Sequence, residues 1–253
     1  DYSKRSKGGA IRVGHPVIKR KLYMYYRFAY EKDKIYNIDY AASDYIKDQA
    51  GTTTTVSFTP SLVYNTTNHP VLPTRGNKSK IYSKYAGGIL GGDNDYVKSG
   101  VESTQYFPLF WGMTGMVHGE LGFVTATGDK KLPVDDRFRL GGMYSVRGFK
   151  YGDISPKDSD GNDYGGDKYV LFNLESFFPI SEAANLMGVI FVDVGQVYDN
   201  NEEYFSYDLR KSYGFGFRWY SPMGPLRLEY GRKFEPKPGE SKDRWDFSIG
   251  GMF

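Results

Sequence analysis

One pattern constrains this chain more than any other. Apolar and polar residues alternate with a period of two in segment after segment, each about ten residues long and separated by turn residues. In the run 22–31, Leu22, Met24, Tyr26, Phe28 and Tyr30 share one face, and Tyr23, Tyr25, Arg27, Ala29 and Glu31 share the other. The run 54–65 sets Val56, Phe58, Leu62 and Tyr64 against Thr55, Ser57, Thr59, Ser61 and Asn65. The alternation repeats at 170–178, 189–198, 213–220, 226–230 and 245–253. In the last of these, Trp245, Phe247, Ile249 and Phe253 oppose Asp246 and Ser248. It is fainter at 10–17, 78–88, 100–108 and 111–124. Together these predict about eleven strands, and no segment of useful length carries a helical period. The first nine residues, basic and glycine-containing, read as a loop or strand end.

Such faces suit two architectures. In a soluble sandwich the apolar faces meet in a core and the charged faces meet water. In a membrane barrel the apolar faces meet lipid and the charged faces line the lumen. No stretch approaches 18 consecutive apolar residues, which rules out a transmembrane helix. The mean hydropathy of −0.54 does not exclude a barrel, because only alternate side chains face lipid. The 23 Tyr and 17 Phe collect towards strand ends, where bilayer interfaces would lie. Connections differ in length: a tight Ser221-Pro222-Met223-Gly224-Pro225 turn contrasts with long polar stretches at 31–51, 127–167, 199–211 and 235–243. Short turns on one rim and long loops on the other are the outer-membrane arrangement. The reading is therefore all-β, a transmembrane antiparallel β-barrel. Residues 127–167 are its long extracellular loop.

That loop contains Leu140-Gly141-Gly142-Met143-Tyr144-Ser145-Val146-Arg147-Gly148-Phe149. A loop exposed to solvent has no need of Val146 and Phe149, whereas a loop folded back into the lumen does. There Arg147 would be a costly buried charge unless paired. The expected partners are Glu175 and Asp193, inward carboxylates on the next two strands, which the planar guanidinium fork can bond together.

These residues resemble a known family. Val146-Arg147-Gly148-Phe149 is similar to the signature of the sixth extracellular loop in BamA-type outer-membrane protein insertases. Their superfamily also includes mitochondrial and plastid homologues and two-partner secretion transporters. Further pieces match in order. They are Tyr64-Asn65 with Pro73-Thr74-Arg75-Gly76, Leu174-Glu175-Ser176, Phe191-Val192-Asp193-Val194-Gly195 and the Trp219 to Leu226 turn. Residues 245–253, ending in Phe253, resemble a bacterial outer-membrane targeting signal. The resemblance implies a sixteen-stranded barrel preceded by periplasmic POTRA domains. Residues 1–253 then correspond to its C-terminal eleven or so strands, and the chain is read as a piece of a longer protein of the bacterial outer membrane. The implied function is non-enzymatic: barrel proteins are folded and inserted through a weak lateral seam between first and last strands. Gly250 and Gly251, near the end of the last strand, would weaken and kink it. The implied partners are unfolded outer-membrane β-barrel substrates, accessory lipoproteins, and the lipid bilayer with its lipopolysaccharide.

Other functions fit less well. Lys+Arg 33 against Asp+Glu 30 gives +3, too balanced to imply nucleic acid. Without cysteine, neither a disulfide nor a thiol or Cys-zinc site can be invoked. His118 shares an inward face with Glu120, but a hydrolase would need His with Ser or Asp in hydrogen-bond geometry. The run Asp158 to Asp163 lacks the closing Glu and flanking helices of a calcium loop. No cofactor or metal is expected. Two alternatives remain open: a two-partner-type secretion translocator, and a short POTRA-less barrel or channel of the same superfamily.

Overall fold

The computed structural model describes residues 2–250 apart from 41, 129, 131, 207, 222 and 223. Its described residues form one antiparallel sheet of eleven strands in sequence order, each hydrogen-bonded to the next. The strands are β1 (Ser3–Ile18), β2 (Leu22–Tyr36), β3 (Gly51–Asn65), β4 (Gly76–Ala86), β5 (Tyr96–Pro108), β6 (Thr114–Ala126), β7 (Lys168–Ser181), β8 (Leu186–Tyr198), β9 (Arg210–Ser221), β10 (Gly224–Lys233) and β11 (Asp243–Ile249). Each connection joins neighbouring antiparallel strands, nine of them short or moderate in length and one, between β6 and β7, spanning 127–167. The only α-helix among the described residues is a single turn, α1 (Asp44–Lys47), in the β2–β3 connection.

Of the two readings of the first nine residues, loop or strand end, the strand holds: β1 begins at Ser3, which pairs with Tyr36 of β2. This extends β2 past Glu31 and shortens the next connection to 37–50. Trp111 is not in a strand. It sits in a turn at φ 55°, and β6 begins at Thr114. Of the turn between β9 and β10, Pro222 and Met223 lie outside the described residues. The strands on either side of it pair directly, Ser221 opposite Gly224.

The alternation has the physical meaning expected of a barrel wall. Phe172, Leu174, Ile190, Val192, Phe215, Phe217, Leu228 and Phe247 are all exposed on one face. Their neighbours Asn173, Glu175, Asp193, Arg218, Arg227 and Glu229 are buried on the other. An exposed apolar face of this extent, backed by a polar one, is the lipid-facing band of a membrane barrel. The opposite face curls around the segment 127–167. Asp135 of that segment reaches Lys4 on β1, and Tyr144 reaches Ser248 on β11. One loop therefore touches both the first and the last strand. The connections on its rim are 37–50, 87–95, 199–209 and 234–242. Those on the other are 19–21, 66–75, 109–113, 182–185 and 222–223.

Candidate functional site

The loop 127–167 is seated by three sets of contacts. The first is apolar. Leu140, Val146, Phe149 and Ile154 pack with Tyr169 and Leu171 of β7 and Val197 of β8. Val146 and Phe149 are 0% and 1% exposed, so both side chains of the motif are removed from water. Two cations flank Phe149: Lys233 Nζ lies 4.4 Å and Arg210 Cζ 4.9 Å from its ring centroid. The ring's negative face favours that placement.

The second set is ionic and centres on Arg147. Its Nε donates to Asp193 Oδ2 at 2.7 Å and its Nη2 to Asp193 Oδ1 at 2.6 Å, a two-pronged fork. Its backbone N–H donates to Asp193 Oδ2 at 3.0 Å. Nη1 lies 2.6 Å from Glu175 Oε1 and donates to Glu229 Oε2 at 2.7 Å. The guanidinium carbon stands 3.4 Å from the centre of the Phe191 ring. Burial works against the charge of Arg147, but Glu175 and Asp193 outweigh it and hold the guanidinium protonated.

Glu175 and Asp193 are the partners anticipated from sequence; Glu229 is a third that was not. Neither were Arg218 and Arg227. Arg218 donates through Nη1 and Nη2 to Glu175 at 2.9 Å each, and through Nε to Glu229 at 2.6 Å. Arg227 donates to both Glu229 oxygens, at 2.9 and 3.1 Å. Three guanidiniums thus face three carboxylates, and the cluster is neutral. One signal was available. Arg218 and Arg227 stand directly opposite across β9 and β10 on the inward face. A like-charge pair in that position demands anions between them.

Backbone geometry lets the loop come close enough. Gly148 adopts φ +86°, a conformation other residues rarely take. A Cβ placed on Gly231 of β10 would stand 2.5 Å from Gly148 N and 2.7 Å from Arg147 C. At this point loop backbone rests on strand backbone.

The third set holds the start of the loop to the opposite wall, with polarity reversed. Here the loop supplies the anion. Asp136 lies 3.3 Å from Lys84 Nζ of β4 and 3.6 Å from Lys98 Nζ of β5, and accepts from Tyr96 Oη at 2.6 Å. Burial opposes its charge, but Lys84 and Lys98 prevail and keep its carboxyl below the usual range. Nothing in the sequence marked Asp136, because its strand partners lie 38 to 52 residues upstream.

The remaining residues singled out from sequence are not brought into this cluster. Trp245, Phe247 and Ile249 project from β11 on the lipid side and are 53%, 64% and 67% exposed. Gly250 follows the strand rather than interrupting it, at φ +68° with its N–H donating to Pro225 O at 2.8 Å. Gly251 and Phe253 lie outside the described residues. His118 bridges Thr104 Oγ1 at 2.8 Å and Glu120 Oε1 at 2.9 Å on the lumen face. Asp158 accepts backbone N–H bonds from Asp160 and Asn162 within its own turn.

The whole chain, residues 1–253, matches the model of the Omp85 superfamily domain. The chain belongs to the Omp85 superfamily. Among its Omp85 relatives is the outer membrane protein assembly factor BamA of Nitratidesulfovibrio vulgaris, 36% identical across all of this chain and 32% of the relative. The BamA of Neisseria meningitidis serogroup B is 30% identical over 75% of the chain and 28% of the relative. A sorting and assembly machinery component 50 homolog of Xenopus tropicalis is 33% identical over 55% of the chain and 29% of the relative. Among solved structures, BamA from Haemophilus ducreyi lacking POTRA domains 1–3 superposes with a TM-score of 0.81 at 25% identity. That match covers 97% of this chain and 54% of the other. CdiB from Acinetobacter baumannii, with a TM-score of 0.62 at 18% identity over 96% of this chain and 41% of the other, shares the fold. This Omp85 chain therefore spans about a third of the length of the curated relatives it matches. Its strands have the fold of an outer-membrane β-barrel.

Proposed function

We propose that this chain is the barrel portion of an outer-membrane protein assembly factor, which folds β-barrel proteins and inserts them into the bacterial outer membrane. The observation that carries the reading is the 36% identity with a BamA along the entire chain. A seated loop held by Arg147, Glu175, Asp193 and Glu229 supports it, because a general diffusion channel has no use for a neutral ion cluster that fills its own lumen. The role is one of templating rather than of bond chemistry. The last described strand, β11 (Asp243–Ile249), pairs with β10. In this reading Val146, Arg147, Gly148 and Phe149 lock the loop into the lumen. Trp245, Phe247, Ile249 and Gly250 belong to the last-strand side of the seam, and Gly251 and Phe253, outside the described residues, are assigned to it from sequence alone. The substrates are unfolded barrel proteins, and accessory lipoproteins and the surrounding lipid are its partners.

Depletion of the full-length protein in its native host tests this. Many unrelated barrels should lose their folded, heat-modifiable form together. Loss of one secreted product, with bulk barrels unaffected, would instead support the secretion-translocator reading.

A further inference from the structure

One side chain joins the seated loop to the last strand. Tyr144 lies three residues before Arg147. Its hydroxyl is 2.8 Å from Ser248 Oγ on the inner face of β11. Arg227 stands directly opposite Ser248 across the β10–β11 ladder, and its guanidinium carbon is 5.4 Å from the Tyr144 ring centre. Tyr144 therefore covers an Arg227–Ser248 pair. Arg227 is in turn bonded to Glu229, which Arg147 also holds. A continuous chain of contacts runs from Arg147 through Glu229 and Arg227 to Tyr144 and Ser248.

A second feature of the same ladder makes β11 dependent on that chain. Glu229 of β10 stands directly opposite Asp246 of β11, and both face inward. Like charges in directly opposed positions weaken a strand pair. Asp246 is offset by Arg244 on its own strand, and Glu229 by Arg147, Arg218 and Arg227, of which only Arg147 belongs to the loop. Withdrawing the loop removes both a cation from this ladder and the hydroxyl bond to Ser248. A cavity of about 490 Å³ lies between loop and strand, lined in part by Met143, Tyr144, Asp246 and Ser248, so few other contacts fill the gap.

We propose that Tyr144 is a positioning residue that ties the seated loop to β11, so that seating of the loop sets how firmly the last strand is held. The inference rests on the assembly-factor reading for its consequence, but not for its measurement.

The test is hydrogen exchange of β11 amides in the full-length protein in lipid nanodiscs, for Tyr144→Phe, Ser248→Ala and the double variant. Tyr144→Phe keeps the ring over Arg227 and removes only the hydroxyl. Exchange in β11 should rise about three- to tenfold, the factor that loss of one hydrogen bond produces. Exchange in β7 and β8 should not change. The double variant should exchange no faster than either single one. The rate of barrel insertion should change with β11 exchange, while heat-modifiability of the protein itself stays as in the parent. Unchanged β11 exchange in Tyr144→Phe, or additive effects in the double variant, would overturn the tether. Faster β11 exchange in a protein that inserts no barrel would keep the tether and remove the function built on it.

Discussion

Arg147 bonds carboxylates from three strands, β7, β8 and β10, and is 2% exposed. Its truncation leaves those anions buried with only Arg218 and Arg227 to offset them. Breaking a buried pair on one side costs about 3–5 kcal/mol. Arg147→Ala should therefore release the loop to protease and lower the temperature at which the barrel loses its compact form on gels. Arg147→Lys should fall between the two, since an ammonium cannot make the two-pronged bond to Asp193. Unchanged protease resistance in Arg147→Ala would contradict the lock. Sequence reasoning reached Glu175 and Asp193 because strand parity turns both inward on the two strands that follow the loop. It missed Glu229 because parity says which face a residue takes, not which residues meet across a curved lumen. β10 lies three strands from β7, and only the curl of the sheet brings their side chains together.

At the scale of the loop as an element, seating requires a close backbone approach as well as charge. Gly231→Ala puts a methyl group where Gly148 N and Arg147 C now lie. Overpacking of this kind costs about 1–3 kcal/mol. The variant should raise protease cleavage within 127–167 with no charge altered, and normal loop resistance would show that backbone contact is not needed. The far end of the loop carries a pH dependence. Burial pushes the Asp167 carboxyl up to about 6, with Arg137 opposing and Asp199 adding to the rise. The fold thus favours its protonated form. That preference costs nothing below the ordinary carboxyl range near 4, and its cost grows as pH rises to about 6. Asp167→Asn should match the parent protein's unfolding midpoint at pH 4 and exceed it at pH 7. Parallel profiles would contradict the assignment. The existence and bounds of the loop, and the burial of Val146 and Phe149, were legible as apolar residues in an otherwise polar connection. The Asp136 anchor was not, because an acidic residue in an acidic stretch carries no pattern of its own.

At the scale of the whole molecule, the eleven strands and their inward and outward faces followed from period two alone. That signal is strong because a strand with lipid on one side and a polar lumen on the other cannot slip by one residue without inverting every side chain. The ends of strands were less legible. Extensions such as Ser3–Gly8 against Glu31–Tyr36 are mostly polar, with Ile35 the apolar exception, and they pair beyond the lipid-facing band where alternation has little to report. The seam-side role proposed for β11 rests on neither parity nor composition but on likeness to assembly factors.

The most direct measurement is barrel folding by the full-length protein reconstituted in liposomes, following a denatured barrel substrate to its heat-modifiable form. The parent protein should accelerate folding well beyond empty liposomes, and Arg147→Ala should abolish most of that gain while still residing in the bilayer. Folding no faster with the parent protein than with lipid alone would contradict the assembly function.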